Sequence, residues 1–340
     1  MSESESHVDV VVIGAGISGI GAAYHLQTYC PDRTFTVLEG RDDLGGTWDL
    51  FRYPGVRSDS DMHTLGYRFK PWTADKAIAD GPSILAYLRE TVAEFGLLDK
   101  IRFGHQATAA NWSSEAKTWT ITTIAAGQRS TFTCNFLFMC SGYYSYRGGH
   151  DPEFEGRQEF EGRIVHPQHW PDDLDYTAKD VVIIGSGATA VTLLPAMATD
   201  AASVTMLQRS PTYVVAAPST DTIANGLRAV LPAKLAYTIT RWKNVQLGSY
   251  FYRRSRKRPD KVKQALLKGV RKQLGDDYDI DTHFTPSYNP WDQRICLVPD
   301  GDLFDAINSG KGKVVTSTID RFTTSGIRLT TGESWPPMSS

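Results

Sequence analysis

The chain has 340 residues, room for two domains and a sizeable core. Its 36 lysines and arginines nearly balance 38 aspartates and glutamates, so the overall charge gives no reason to expect nucleic acid or an anionic membrane as partner. Four cysteines (Cys30, Cys134, Cys140, Cys296) form no C-x-x-C pair and no metal-ligand spacing, which reads as reduced thiols of a cytoplasmic protein without a metal.

The polar start has neither the basic leader nor the apolar stretch of a secretory signal, and no run approaches the ~18 apolar residues of a membrane span. Residues 8–13 are a short β-branched run of the kind buried in a parallel sheet. Gly14-Ala15-Gly16-Ile17-Ser18-Gly19 follows, then a helical pattern over 20–28 and a strand over 34–39. In this G-x-G-x-x-G spacing Gly14 allows the tight turn, Gly16 lets the backbone approach a pyrophosphate, and Gly19 allows the helix to pack on the strand. Glu39 ends the second strand, where a carboxylate accepts hydrogen bonds from ribose hydroxyls. An acidic site suits FAD, whose ribose carries no phosphate to repel.

Residues 119–124 and 130–133 read as a hairpin, and 136–140 as a further buried strand. After a polar link, an apolar strand over 181–184 runs into Gly185-Ser186-Gly187-Ala188-Thr189-Ala190, a helix, and a strand over 204–208. This is the same device with alanine as the third small residue. It ends differently, in Gln208-Arg209-Ser210, and an arginine with a hydroxyl suits the 2′-phosphate of NADPH. Two unlike dinucleotide sites in one chain imply electron transfer from a nicotinamide to a flavin.

From about 223 to 275 the pattern turns helical and basic. The run Arg253-Arg254-Ser255-Arg256-Lys257-Arg258 reads either as a solvated helix face or as a phosphate or partner patch. Residues 314–315 and 327–329 read as late strands. The expected architecture is α/β, with two Rossmann-like dinucleotide-binding domains and a helical insertion. The expected boundaries are 1–145 for the FAD domain, 146–172 for a linker, and 173–222 with 285–333 for the NADP domain. The insertion is 223–284, and 334–340 is a tail without strand character.

Two longer patterns add chemistry. Phe160, Gly162, His166, Trp170 and Pro171 stand in an F-x-G-x-x-x-H-x-x-x-W-P arrangement. Gly45, Gly46, Trp48, Tyr53, Pro54, Gly55 and Asp59 stand in G-G-x-W-x-x-x-x-Y-P-G-x-x-x-D. Both resemble fingerprints of the Baeyer–Villiger and related flavin-containing monooxygenases, and the similarity runs over residues 8–333. The resemblance implies an FAD- and NADPH-dependent monooxygenase. Such enzymes insert one oxygen of O₂ into ketones and oxygenate sulfides or thioamides through a flavin C4a-peroxide.

The resemblance also implies roles. Ser18, Glu39, Gly46, Thr47, Trp48, Asp49, Leu50 and Asp59 fall where the family contacts FAD, and Ala107 at a backbone contact to the flavin nucleotide. Gly185, Ser186, Gly187, Ala188, Thr189, Ala190, Val191, Arg209 and Ser210 match its NADP site, and Arg57, Ser58 and Asp59 its nicotinamide end. Arg294 aligns with the catalytic arginine. A guanidinium is permanently charged and can stabilise a peroxy anion and a tetrahedral adduct, while Asp59 can hold it and modulate its field. A purely structural Arg294–Asp59 ion pair is the alternative. His166 and Trp170 then belong to a domain connector rather than to proton transfer, and His169 faces solvent. Gln293 departs from relatives that place a lysine on the 2′-phosphate.

Family members continue well beyond the point where this chain stops, through a strand ending in an A-T-G-like turn. Ser334-Trp335-Pro336-Pro337-Met338-Ser339-Ser340 does not fit that strand, whereas the bases implied by its Trp, Met and Pro codons do when read two positions on. We therefore expect a frameshift near 332–334, which a nucleotide sequence lacking that frame would exclude. On this reading the FAD domain is incomplete at its C-terminus and loses a sheet edge and apolar cover. The alternative function is then an inactive or nucleotide-binding-only remnant. A flavin disulfide reductase also pairs two dinucleotide folds, but it needs a redox cysteine pair that is missing here.

Overall fold

The computed structural model describes residues 6–335. β1 (Ser6–Ile13) buries Val10, Val11, Val12 and Ile13 on both faces, as a central parallel strand must. It turns into α1 (Ile17–Tyr29), whose buried stripe of Gly19, Gly21, Ala22 and Ala23 is small enough for close packing. β2 (Phe35–Leu38) pairs parallel to β1, with Val10 opposite Phe35 and Ile13 opposite Leu38.

A single turn, α2 (Thr47–Leu50), and a second, α3 (Met62–Leu65), lead to α4 (Gly81–Glu94). β3 (Ile101–Arg102), β4 (Gln106–Ser113), β5 (Thr118–Ala125) and β6 (Gln128–Met139) complete a six-stranded sheet of order β3-β2-β1-β6-β5-β4. β6 is antiparallel to β5 and parallel to β1, so one strand serves both the expected hairpin and the parallel layer. Val11, Ile13, Leu38, Ile121, Phe132 and Cys134 form the core beneath it.

The far end of β6 corrects the reading of 136–140 as buried. Phe136 is 57% exposed and Phe138 43%, while Cys134 is fully buried. These three residues point to one face, and that face loses its cover along the strand.

The chain forms two compact units, one of Met1–Arg52 with Gly81–Gly149, the other of Tyr53–Asp80 with His150–Ser340. Tyr53–Asp80, read in sequence as part of the first domain, thus groups with the second. Its α3 turn is capped at the start by the Asp61 carboxylate, which accepts the Thr64 N–H at 3.0 Å. Arg241 Nη1 closes the other end by donating to the carbonyls of His63 and Thr64, both at 2.9 Å.

The second unit builds its glycine loop between β7 (Asp180–Ile184) and α5 (Ala188–Met197). β8 (Ser203–Gln208) and β9 (Tyr213–Ala217) precede the helical insertion: α6 (Thr222–Val230), α7 (Ala233–Lys257), α8 (Pro259–Leu274) and α9 (Ile280–His283). β10 (Ile295–Pro299), α10 (Asp302–Asn308) and β11 (Gly312–Thr316) return to the α/β body. The parallel sheet has order β11-β8-β7, and β10 pairs parallel with β9.

β12 (Ile319–Phe322), β13 (Ile327–Leu329) and β14 (Ser334–Trp335) form an antiparallel sheet. This corrects the expectation of a tail without strand character, because Trp335 pairs with Ile327 and Ser334 with Arg328. The remainder of that tail, residues 336–340, lies outside the described residues. No helix of the described residues is long and apolar enough to cross a membrane.

Candidate functional site

In the first unit the glycine loop rests closely on neighbouring backbone. Gly14 has φ +102°, and a Cβ there would meet the Cys140 carbonyl oxygen at 2.6 Å. A Cβ on Gly19 would meet the Gly14 carbonyl oxygen at 1.8 Å, which is the helix-on-strand packing expected of the third glycine. Gly45 donates to the Ala15 carbonyl at 3.0 Å, and a Cβ on Gly46 (φ +56°) would sit 3.1 Å from the Gly16 Cα. The Gly45-Gly46 turn therefore rests backbone to backbone on the first loop.

Glu39 is 1% exposed. Its Oε2 accepts the Ala15 N–H at 2.7 Å and its Oε1 the Arg41 N–H at 3.0 Å. Each oxygen retains lone-pair capacity for a further donor, so the carboxylate is fixed yet still able to accept from a hydroxyl. Ala107 lies two residues beyond His105, whose N–H donates to the Glu39 carbonyl at 2.8 Å, and packs against the core cluster that holds Leu38, with a β4 register shift between Ala107 and Ala109.

Asp49 is also buried, but two arginines hold its carboxylate. Arg41 donates Nε at 3.0 Å and Nη2 at 2.5 Å to Oδ2, and Arg52 donates Nη2 at 2.7 Å to Oδ1. Arg41 also lies 5.4 Å from the centre of the Tyr146 ring. Burial, then the nearby Glu39 and Asp49 charges, push the Tyr146 phenol up, with Arg41 opposing them. Arg41, Arg52 and Tyr146 escape sequence reasoning, because an arginine two residues past a strand end carries no motif. Leu50 is buried, Thr47 and Trp48 are half-buried, and Ser18 is exposed in the first turn of α1.

The second loop is the same device left open. A Cβ on Gly185 or Gly187 would meet nothing within 4 Å. Neither α1 nor α5 has a side-chain cap or an acidic residue in its first turn, so the partial positive charge at each helix start is not offset by a local carboxylate. Both loops therefore fit the pyrophosphate of a dinucleotide. Ser186 Oγ donates to the Ser210 carbonyl at 3.0 Å and lies 3.1 Å from Thr212 Oγ1, tying the loop to the end of β8. Gln208 is buried and donates to the His283 carbonyl at 2.8 Å and to Thr316 Oγ1 at 2.9 Å. That leaves Arg209 and Ser210 as the exposed groups beyond the strand. Ala188 and Thr189 are half-buried, and Ala190 and Val191 lie in the core.

The Tyr53–Asp59 stretch is built onto α5. A Cβ on Gly55 would meet Ala196 Cβ at 2.8 Å, and the Tyr53 hydroxyl is hydrogen-bonded to the Thr189 side chain. Arg57 makes a two-pronged ion pair with Asp302 in the first turn of α10. The Ser58 hydroxyl is closed into a local turn with Ser60. Burial raises the Tyr53 phenol; Thr189, Arg57 and Arg294 pull it down and Asp59 pushes it up. The buried Cys296 thiol rises to about 11, mainly through desolvation, with Arg294 lowering it and Asp59 raising it.

Arg294 and Asp59 thus act on the same two buried groups. Both are exposed, and no ion pair joins them among the described residues. His166 uses Nδ1 to accept the Gln168 N–H at 3.2 Å and caps the turn Pro167–His169, while His169 is exposed.

Two strand–loop–helix units, one ending in a buried carboxylate and one in an exposed arginine, define a protein built around two unlike dinucleotide sites. The family description flavin-binding monooxygenase-like matches residues 76–258, and an NAD(P)-binding Rossmann-like domain matches 12–74. The FAD-containing monooxygenase EthA of Mycobacterium tuberculosis is 55% identical over 331 residues, covering 97% of this chain and 68% of that protein. The probable FAD-binding monooxygenase AlmA of Acinetobacter baylyi is 50% identical, covering 97% and 66%. Among solved structures, an oxidised steroid monooxygenase bound to NADP superposes with a TM-score of 0.79 at 24% identity, covering 96% of this chain and 68% of that one. Cyclohexanone monooxygenase from Rhodococcus sp. Phi1 bound to NADP⁺ gives 0.76 at 22%, covering 97% and 69%. The chain belongs to the flavin-binding monooxygenase-like family, and is a flavin-dependent monooxygenase by descent. It spans about two thirds of the length of these curated relatives.

Proposed function

We propose that this chain binds FAD at its first glycine loop and NADPH at its second. In this reading it inserts one oxygen of O₂ into ketones, and sulfides and thioamides are further acceptors. Bound flavin, reduced by NADPH, supplies the oxygen-activating redox chemistry. The chain's own residues bind and polarise. Glu39 offers lone pairs to ribose hydroxyls, and the open backbone at Gly187 admits the second pyrophosphate. Arg209 and Ser210 receive a 2′-phosphate on a loop tied down by Ser186 and Thr212.

Arg294 keeps a fixed positive charge where negative charge develops on oxygen, and Asp59 moderates it. The observation that supports the reading is the pair of strand–glycine loop–helix units, one ending in the buried Glu39 carboxylate and the other in the exposed Arg209. The four free cysteines fit a cytoplasmic setting.

The test is flavin absorbance of the purified chain, then ketone-dependent NADPH oxidation with ester analysis. Arg294→Ala is expected to retain flavin and NADPH oxidation and to lose ester formation by roughly 10²–10³-fold. Unchanged ester formation would overturn the role. A second reading, nucleotide binding without turnover, is favoured by the uncovered apolar face at Phe136 and Phe138. It predicts dinucleotide binding with no ketone dependence.

A further inference from the structure

The overall charge balance conceals a strong separation. Between residues 222 and 275 there are 14 lysines and arginines and one acidic residue, Asp260. Several of these bases are used internally. Lys243 pairs with Asp221 at 2.6 Å, Arg228 with Asp75 at 2.9 Å, Arg256 with Asp292, and Arg241 serves the carbonyls of α3. Arg253, Arg254, Lys257 and Arg258 are exposed and have no carboxylate partner among the described residues.

Geometry places two of these bases, Arg253 and Lys257, together with an apolar stripe on α7. Its buried residues Ala236, Tyr237, Thr240 and Ser255 share one face. At about 100° per residue, Leu235, Ile239, Trp242 and Val245 lie on the opposite one, and Arg253 and Lys257 continue the same face two to three turns on. Trp242 is 66% exposed, Tyr250 62% and Leu235 48%. A helix about 37 Å long therefore presents to solvent an apolar and aromatic half, followed by a basic half.

We infer that the outer face of α7 docks on an anionic lipid surface. Aromatic and aliphatic side chains favour the boundary between headgroups and acyl chains, while arginines and lysines reach anionic headgroups with their long stems. A nucleic acid would use the bases but leave Leu235, Ile239, Trp242 and Val245 without a role. The helix lies on the surface rather than crossing it, since its face is too mixed to span.

The test is co-sedimentation of the purified chain with vesicles of phosphatidylcholine alone and of phosphatidylcholine mixed with phosphatidylglycerol. Binding is expected only to the mixed vesicles, weakening as salt is added. Trp242→Ser should weaken it by roughly tenfold, and Arg253→Glu with Lys257→Glu by at least about fivefold per base. Both variants should keep the parent's melting temperature, because all three side chains are exposed. Equal binding to both vesicle types, or to neither, overturns the inference. So does a dimer that Trp242→Ser dissolves without any vesicle binding, or a polyanion affinity that the same variant leaves intact.

Discussion

The two glycine loops share a spacing and differ in almost everything around it. In the first, backbone meets backbone at Gly14 against Cys140 and at Gly46 against Gly16, and the strand ends in a buried, doubly held carboxylate. In the second, Gly185 and Gly187 face open space and the strand ends in an exposed arginine. A shared spacing can thus be required for opposite reasons: one glycine because the fold leaves no room for a side chain, another, on the proposed reading, because a ligand needs the room.

The widest contrast should come from two like substitutions. Gly14→Ala forces a side chain into a positive-φ position against a carbonyl oxygen, and we expect about 3 kcal/mol of lost stability and no retained flavin. Gly187→Ala meets nothing, so its unfolding midpoint should stay within about 0.5 kcal/mol of the parent while NADPH affinity falls. Urea denaturation of the pair decides it, and equal destabilisation would remove the distinction between a locked and an open loop.

A smaller effect tests the strand endings. Arg209→Ala should raise the Kd for NADPH by roughly ten- to a hundredfold and leave that for NADH and the melting temperature unchanged. Titration calorimetry with both nucleotides reads it, and parallel losses for the two would mean that Arg209 does not meet the 2′-phosphate.

The mildest test uses pH. Burial lowers the imidazoles of His63 and His283 below 6.5, with nearby carboxylates opposing it, and both lie in the second unit. As pH falls through 6.5 the unfolded chain binds protons that the folded one does not, so these groups cost stability below 6.5 and are neutral above it. The His63 Nε2 is buried without a hydrogen-bond partner, which makes Leu a tolerable replacement. Exchange protection in the second unit, taken relative to the intrinsic amide rate at each pH, should fall between about pH 6.5 and pH 5, and His63→Leu should remove part of that slope. An unaltered slope would clear His63 of the effect.

Both βαβ units were legible because each signal is local: an apolar run, glycines at fixed offsets, and a charge at the strand end. The cover over β6 was not. Phe136 and Phe138 have the composition of a buried strand, and only tertiary packing decides which face meets other atoms. The grouping of Tyr53–Asp80 was equally hidden. It depends on Gly55 against Ala196 and on Arg241 at the end of α3, pairings between residues far apart in the chain. Of the candidate site, the glycines and the unlike strand ends at Glu39 and Arg209 were readable from spacing, whereas Thr212 and the hold of Arg41 and Arg52 on Asp49 belong to no periodicity.

The Arg57–Asp302 pair spans 245 positions of sequence. During synthesis the turn bearing Asp59 therefore waits until Asp302, 245 positions after Arg57, has been made before its anchor exists, although the first unit's last strand has long since emerged. Maturation is thus ordered in time: the adenine-nucleotide framework can close early, and the charged turn is fixed only late. A ribosome stalled before residue 302 would release a species able to fold in part while still lacking that fixed turn.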